Sequence, residues 1–168
     1  MNNKWIYISP TPEQEMAAER LAGAINVNPV ICRMLIERGI TTPEEARHFF
    51  RPQLNELIDP FKMKDMQKAV DRLNEAMGRK ERILVYGDYD VDGCTAVALV
   101  YIFLRQMGME ELLFYIPDRY TEGYGISKLG VDYAKKNGVD LIIALDCGIK
   151  AVEKVAYANQ LGIDFIIC

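Results

Sequence analysis

Three aspartates alternate with other residues in the run YGDYDVDGCT, at positions Asp88, Asp90 and Asp92. Carboxylates this close in sequence repel one another unless a cation lies among them. Hard divalent ions such as Mg²⁺ and Mn²⁺ prefer carboxylate oxygens as ligands. The run therefore predicts a divalent-metal site, and the alternative interpretation is an acidic turn that only solvates the end of a strand and caps the next helix.

A further acid follows a second apolar run along the chain. The segment LIIAL leads into Asp146, Cys147 and Gly148, which repeats the order of strand, acid and glycine. Ligands bind outside the carboxyl ends of the strands in open parallel sheets. If the two strands are neighbours, Asp146 lies at the same edge as the first three aspartates. We therefore predict one metal site that is built from several loops.

A polar loop, IPDRYTEGYGIS, lies between the two acidic segments. It contains Arg119, two glycines at positions 123 and 125, and Ser127 as a candidate helix N-cap. A guanidinium group and a glycine-rich helix start at one sheet edge are suited to bind a phosphate. Glycines are also common in loops that only connect elements, so a purely structural loop is the alternative.

Alternating strands and helices must position these segments. The second half of the chain predicts strands at 82–86, 112–116, 141–145 and from 165 onward, with intervening helices at 95–107, 127–137 and 151–161. This alternation indicates βαβ units and a parallel sheet. Because LIIAL and FIIC are continuously apolar, we expect strands that are buried on both sides. The predicted fold class is α/β, with helices on both faces of a parallel sheet.

The first 80 residues carry helix signals. Thr11-Pro12 and Thr42-Pro43 each combine a capping residue with proline at the first helical position. Helices are predicted to begin at Pro12, Val30, Pro43 and Lys64. We therefore predict two regions, a helical N-terminal lead-in at 1–80 and an α/β region at 81–168.

Composition restricts the function classes. The 168 residues carry 20 Lys+Arg and 24 Asp+Glu, a net charge of −4, so any contact with nucleic acid must be local. The longest apolar run, 96–104, is shorter than the roughly 20 residues of a membrane span. Four scattered cysteines predict reduced, packed thiols in a cytoplasmic protein. The single histidine, His48, is predicted on a helix surface, which disfavours catalytic triads.

Several segments resemble one enzyme family. YGDYDVDGCTAVAL is similar to the first motif of the DHH phosphoesterases, in which D-Y-D-x-D-G-x-T follows a strand and precedes a hydrophobic helix. IPDRYTEGYGIS resembles the P-x-R-x-x-E-G-Y-G segment of one branch, and IALDCGI resembles the second acidic motif. MLIERGITTPEEARHFFRP and IDPFKMKDMQKAVDRLNEAM are similar to the helical lead-in of that branch, the single-stranded-DNA-specific exonucleases.

The resemblance implies roles for individual residues. It implies catalytic residues and ligands of a two-metal Mn²⁺ or Mg²⁺ site at Asp88, Asp90, Asp92 and Asp146. It implies substrate contacts at Arg119, Gly123, Tyr124 and Gly125. The implied reaction is hydrolysis of phosphodiester bonds in single-stranded DNA, from the 5′ end, during recombination and repair. A single-strand-binding protein or a helicase is a candidate partner, and no membrane contact is implied.

The Asp-His-His motif that names the family is expected after the strand that begins at Phe165. The sequence stops at Cys168, so we expect an N-terminal piece of a longer protein, truncated before that motif and inactive by itself. Two alternatives remain open. One is a catalytically inactive member of the family that acts as a replication or repair scaffold. The other is a phosphatase of the haloacid dehalogenase type, in which Asp90 would attack phosphorus.

Overall fold

The computed structural model describes Lys4, Ile6 and residues 9–168. Contacts within the chain divide it into two compact units, one ending at Asp59 and one beginning at Pro60. In the part of the chain that is described, no helix is long and apolar enough to cross a membrane.

Among its described residues, the first unit contains three α-helices, α1 (Pro12–Ile25), α2 (Pro29–Glu37) and α3 (Pro43–Phe50), followed by a short 3-10 helix at Leu54–Glu56. Each α-helix begins with proline directly after a residue whose side chain accepts a hydrogen bond from the first turn. The three helices share a small core made of Ala18, Leu21, Ala22, Cys32, Leu35 and Ala46. His48 lies exposed on α3, as predicted, and its Nδ1 is 2.8 Å from Oε1 of Glu56.

The second unit alternates helices and strands. Its strands are β1 (Ile83–Gly87), β2 (Leu112–Tyr115), β3 (Leu141–Leu145) and β4 (Asp164–Ile167). Its helices are α4 (Met66–Arg79), α5 (Val91–Gln106), α6 (Lys128–Lys136) and α7 (Val152–Gln160). The strands form one sheet in the order β2-β1-β3-β4, and every neighbouring pair is parallel.

Helices cover both faces of this sheet. Every residue of the central strands β1 and β3 is buried. On one face, Ile83, Val85 and Ile143 pack with Ala76 of α4 and Val97 of α5. On the other face, Leu84, Tyr86 and Ile142 pack with Val131 of α6 and Ala158 of α7. The predicted α/β class with a parallel sheet is confirmed. LIIAL is buried on both sides, as predicted. The same prediction is wrong for FIIC, because β4 is at the end of the strand order and its residues are half-buried or exposed.

The start of α5 differs from the prediction. The helix begins at Val91, four residues before the predicted Thr95. Asp90 is the N-cap, and its Oδ1 accepts a hydrogen bond of 3.0 Å from the Gly93 N–H. Because this cap supports the first turn, the acidic residues that were expected in a loop partly belong to a helix.

Helix α4 packs with the sheet. Its residue Ala76 is fully buried in the sheet core. Arg72 of the same helix lies 2.6 Å from the Glu81 carboxylate and 2.8 Å from that of Asp164 in β4. Residues 1–80, predicted as one helical region, therefore fall into both compact units.

All four cysteines are free thiols. Cys32 is fully buried and Cys147 half-buried, whereas Cys94 and Cys168 are exposed. The predicted packing is wrong for the exposed pair, because Cys94 lies in the first turn of α5 and Cys168 follows the edge strand β4.

Candidate metal-binding site at the carboxyl edge of the sheet

The two acidic segments meet at one edge of the sheet. Strands β1 and β3 are parallel neighbours, and their last paired residues are Gly87 and Leu145. Asp88 follows Gly87 and Asp146 follows Leu145. The condition set by the sequence, that the strands be neighbours, is therefore met.

Asp88 is the one fully buried carboxylate among the four predicted ligands. Its Oδ1 accepts a hydrogen bond of 3.2 Å from the Gly125 N–H. Its Oδ2 is buried and has no hydrogen-bond partner among the described residues. A buried, unpaired carboxylate oxygen is costly unless a ligand or a cation completes its environment.

Asp90 and Asp92 lie beside Asp88 at the start of α5, and both side chains are exposed. One Asp90 oxygen caps the helix through the Gly93 N–H. Asp92 lies in the first helical turn, where a negative charge interacts favourably with the helix dipole. The acidic turn thus caps a helix, which was the alternative interpretation, and it directly follows the end of β1.

Asp146 is exposed, and its backbone adopts the left-handed conformation with a φ of 56°. The carbonyl oxygen of Asp146 accepts a hydrogen bond of 3.5 Å from the Tyr124 hydroxyl. Desolvation raises the pKa of Tyr124, and the negative charges of Asp88, Asp146 and Asp90 raise it further. All three carboxylates therefore lie close enough to Tyr124 to act on the charge of its phenolate form.

The pKa of Cys147 is also affected by the negative charge of these carboxylates. Burial raises the pKa of its thiol to about 11, and the carboxylates of Asp88 and Asp146 contribute to the rise. A hollow of about 580 Å³ opens beside it, lined by residues 124–126, 146–151, Lys154 and Cys168. The acidic edge thus faces an open space, and two lysines, Lys150 and Lys154, line the same hollow.

The predicted phosphate loop lies at this edge. The Arg119 guanidinium stacks over the Tyr89 ring at 4.4 Å from its centroid. Tyr89 in turn meets the Tyr124 ring edge to face at 6.0 Å. Gly123 and Gly125 have φ angles of 80° and 81°, a left-handed backbone that favours glycine. Arg119, Gly123, Tyr124 and Gly125 therefore all lie near the acidic residues.

Two residues of this site were missed by sequence reasoning. The Tyr86 hydroxyl is buried, donating to the Gly125 carbonyl at 2.9 Å and accepting from the Ser127 N–H at 3.1 Å. Glu122 accepts from the Tyr115 hydroxyl, the Ser127 hydroxyl and the Asp118 N–H. A tyrosine within a strand buried on both sides was the available signal, because a buried hydroxyl needs a partner.

The donor chemistry fits a hard divalent cation. Aspartates follow two neighbouring strand ends, and the unpaired buried Asp88 Oδ2 lacks the positive partner that such a cation supplies. Among the described residues, no three His, Cys, Asp or Glu side chains form a group that could hold a metal ion. The four-aspartate ligand set therefore stays a prediction, of which Asp88 is the best-supported member.

A parallel α/β sheet with carboxylates at the carboxyl edge is typical of domains that bind a metal ion or a phosphate group at the strand ends. The model of the DHH family, N-terminal domain, matches residues 82–168, just over half of the chain. The chain belongs to the DHH family. This membership excludes the haloacid dehalogenase alternative.

The relatives extend the likeness to the helical lead-in. The chain is 38% identical to the single-stranded-DNA-specific exonuclease RecJ of Bacillus subtilis over 156 residues, which is 93% of this chain and 20% of the relative. It is 33% identical to the RecJ of Escherichia coli, covering 83% of this chain and 23% of the relative.

Solved structures give the same result. A manganese-bound exonuclease RecJ superposes with a TM-score of 0.57 at 32% identity, over 62% of this chain and 27% of that protein. RecJ of Thermus thermophilus in complex with Mn²⁺ gives a TM-score of 0.65 over 95% of this chain and 21% of that protein. At 24% identity, the second likeness supports the fold alone. The chain spans about a fifth to a quarter of the length of these relatives.

Proposed function

We propose that this chain carries part of the active site of a metal-dependent exonuclease that hydrolyses single-stranded DNA. The observation that carries the proposal is the buried Asp88 carboxylate, with one unpaired oxygen, at the carboxyl end of β1 in a DHH-family domain. The RecJ relatives, which are named as single-stranded-DNA-specific exonucleases, support the substrate class. Because the chain spans a fraction of these relatives, the activity is proposed for the full-length protein that carries this sequence.

Four aspartates would hold the metal, namely Asp88, Asp90, Asp92 and Asp146. The manganese-bound RecJ relatives support Mn²⁺, and Mg²⁺ suits the same carboxylate oxygens. When bound, the cation supplies charge neutralisation at the phosphate and activation of the attacking water. Among the residues themselves, Asp88 contributes a fixed oxygen because the Gly125 N–H holds its carboxylate in place.

The loop between β2 and α6 would bind the DNA backbone. Arg119 presents its guanidinium at the acidic edge, where it can pair with a phosphate oxygen. Gly123 is half-buried, and a Cβ there would meet no atom within 4 Å, so a DNA strand can approach the loop backbone at this position. Gly125 is buried, and it would act through the backbone conformation that it gives the loop. Tyr124, in the same loop, donates a hydrogen bond from its hydroxyl to the Asp146 carbonyl. These contacts provide the local nucleic-acid surface that a net negative chain requires.

The proposal includes the finer properties that the resemblance implies. Degradation would proceed from the 5′ end, in the cytoplasm, during recombination and repair. A single-strand-binding protein or a helicase would present the DNA. The 168 residues by themselves are expected to be inactive.

The proposal is tested with the purified full-length protein and oligonucleotides labelled at the 5′ or the 3′ end. We expect Mn²⁺-dependent release of the 5′ label from single-stranded DNA, little release from duplex DNA, and no release after chelation with EDTA. Asp88→Asn should lower turnover by at least about a hundredfold, because the buried anionic ligand is lost. Asp71→Asn is the matched control, since Asp71 is an exposed residue of α4 whose carboxylate contacts Gln67.

Two results would count against an exonuclease. Binding of single-stranded DNA without Mn²⁺-dependent turnover would favour the scaffold alternative. Full turnover by the Asp88→Asn variant would show that hydrolysis does not use this site. Equal losses in the Asp88 and Asp71 variants would indicate a general effect of removing a charge.

A further inference from the structure

The backbone of one residue, Gly125, is held on both sides of its Cα by two side chains from the end of β1 and the residue after it. Its N–H donates to Asp88 Oδ1 at 3.2 Å, and its carbonyl accepts from the Tyr86 hydroxyl at 2.9 Å. Tyr86 and Asp88 are two residues apart, at the end of β1 and just beyond it, where the two-residue period places both side chains on one face. The Tyr86 hydroxyl also accepts from the Ser127 N–H at 3.1 Å, so it holds both ends of the turn 125–127.

The position of the Tyr86 hydroxyl is fixed by packing. The residue is fully buried, and its ring stacks on Tyr115 with centroids 5.4 Å apart. A Cβ at Gly130 would lie 2.6 Å from the Tyr86 Cε2 atom, so α6 approaches the ring as closely as a glycine allows.

The remainder of the loop is held separately. Glu122 accepts from the Tyr115 hydroxyl at 2.9 Å and from the Asp118 N–H at 2.9 Å. Ser127 caps α6, with its Oγ accepting from the Gly130 N–H at 2.8 Å. Loss of the Tyr86 hydroxyl would therefore release mainly the turn 125–127, and with it the donor to Asp88.

We propose that Tyr86 is a positioning residue for metal binding. It holds the carbonyl of Gly125, and the N–H of the same residue orients the Asp88 carboxylate. With Oδ1 held by the Gly125 N–H, the unpaired Oδ2 is directed to one place and remains available to a divalent cation. This inference rests on the proposed function, because it assumes that Asp88 is a metal ligand. It adds a residue that lies outside the acidic motifs and carries no charge.

The test compares wild type, Tyr86→Phe and Tyr157→Phe in the full-length protein. Tyr157→Phe is the matched control because its hydroxyl also donates a hydrogen bond between two elements. It donates to Asp132 Oδ1 at 2.7 Å, which links α7 to α6 in a partly buried position. Mn²⁺ affinity is measured without DNA, from the electron paramagnetic resonance signal of free Mn²⁺. Turnover on single-stranded DNA is then measured as a function of Mn²⁺ concentration.

Tyr86→Phe removes two buried hydrogen bonds, of which the bond to the Gly125 carbonyl positions the donor to Asp88. It should weaken Mn²⁺ binding by about three- to tenfold, the effect expected from losing that one bond. The Mn²⁺ concentration for half-maximal turnover should rise by a similar factor, while kcat at saturating Mn²⁺ stays close to wild type. Tyr157→Phe should match wild type in both measurements. Unchanged Mn²⁺ affinity in Tyr86→Phe, or equal weakening in both variants, would overturn the inference.

The failure of the proposed function and the failure of the positioning role have different results. If the wild-type protein neither binds Mn²⁺ nor degrades DNA, the proposed function fails. Normal wild-type activity with an unaffected Tyr86→Phe variant rejects only the positioning role.

If Tyr86→Phe does not fold, nuclear magnetic resonance of the wild-type protein labelled with ¹⁵N-glycine replaces the comparison of variants. Titration with Mg²⁺ should shift the Gly125 amide resonance, and an unmoved resonance at saturating Mg²⁺ would overturn the inference.

Discussion

Replacement of Gly93 by alanine should separate α5 from the end of β1. Gly93 is buried in the first turn of α5, where the helix meets the backbone of Asp88. A Cβ at Gly93 would lie 2.6 Å from the Asp88 nitrogen and 2.8 Å from its carbonyl carbon. These neighbours are backbone atoms of a buried segment, so neither side can move aside cheaply.

The magnitude follows from two opposing effects. Alanine is favoured over glycine within a helix by about 0.5–1 kcal/mol. Overpacking a close contact costs about 1–3 kcal/mol, and rigid backbone neighbours place Gly93 near the upper end of that range. We therefore expect Gly93→Ala to lower the free energy of unfolding by about 2–2.5 kcal/mol.

Urea unfolding followed by far-UV circular dichroism measures this change. Gly78→Ala is the matched control, because Gly78 lies in α4 of the same unit and a Cβ there meets no atom within 4 Å. The control should gain about 0.5–1 kcal/mol, so the two substitutions are expected to have opposite signs. A Gly93→Ala protein as stable as wild type would refute the close approach of α5 to Asp88.

Two further predictions concern charged groups outside the site. Arg72→Ala should lower the free energy of unfolding by about 2 kcal/mol, measured by urea denaturation, because it removes hydrogen bonds to the carboxylates of Glu81 and Asp164. Backbone N–H groups before α3 lower the pKa of Glu45 below its ordinary 4.5, as an NMR titration of its carboxyl group should show. Because the folded pKa is the lower one, this stabilising contribution is present above pH 4.5 and is lost as the pH falls through the folded pKa.

Much of the fold could be predicted because its signals are local or periodic. Proline after threonine marks the starts of α1 and α3, and both threonines accept a hydrogen bond from the first turn of their helix. The apolar run of β3 predicted burial on both sides, which the structure has, and the parallel pairing of β1 with β3 places Asp88 and Asp146 at one edge. In these cases neighbouring residues in sequence carry the information.

The remainder depends on contacts between distant residues. The pairing of Arg72 with Asp164, which links α4 to β4, spans 92 positions and leaves no local signal. The burial of Asp88 depends on the turn at Gly125, 37 positions away, so the sequence could not distinguish it from its exposed neighbours. Tyr86 was read only as part of an apolar strand, although its hydroxyl holds that turn.

The two interpretations of the acidic run are compatible, because a carboxylate has two oxygens. Asp90 uses Oδ1 to cap α5, and Asp88 uses Oδ1 to hold Gly125. In each case one oxygen builds local structure, and for Asp88 the other is buried and unpaired. A carboxylate that is anchored through one oxygen loses less conformational freedom when the other binds a cation, so the structural role supports metal binding. The same reasoning applies to Tyr86, because the Gly125 N–H can hold Asp88 in place only if the Gly125 backbone is itself held by the Tyr86 hydroxyl.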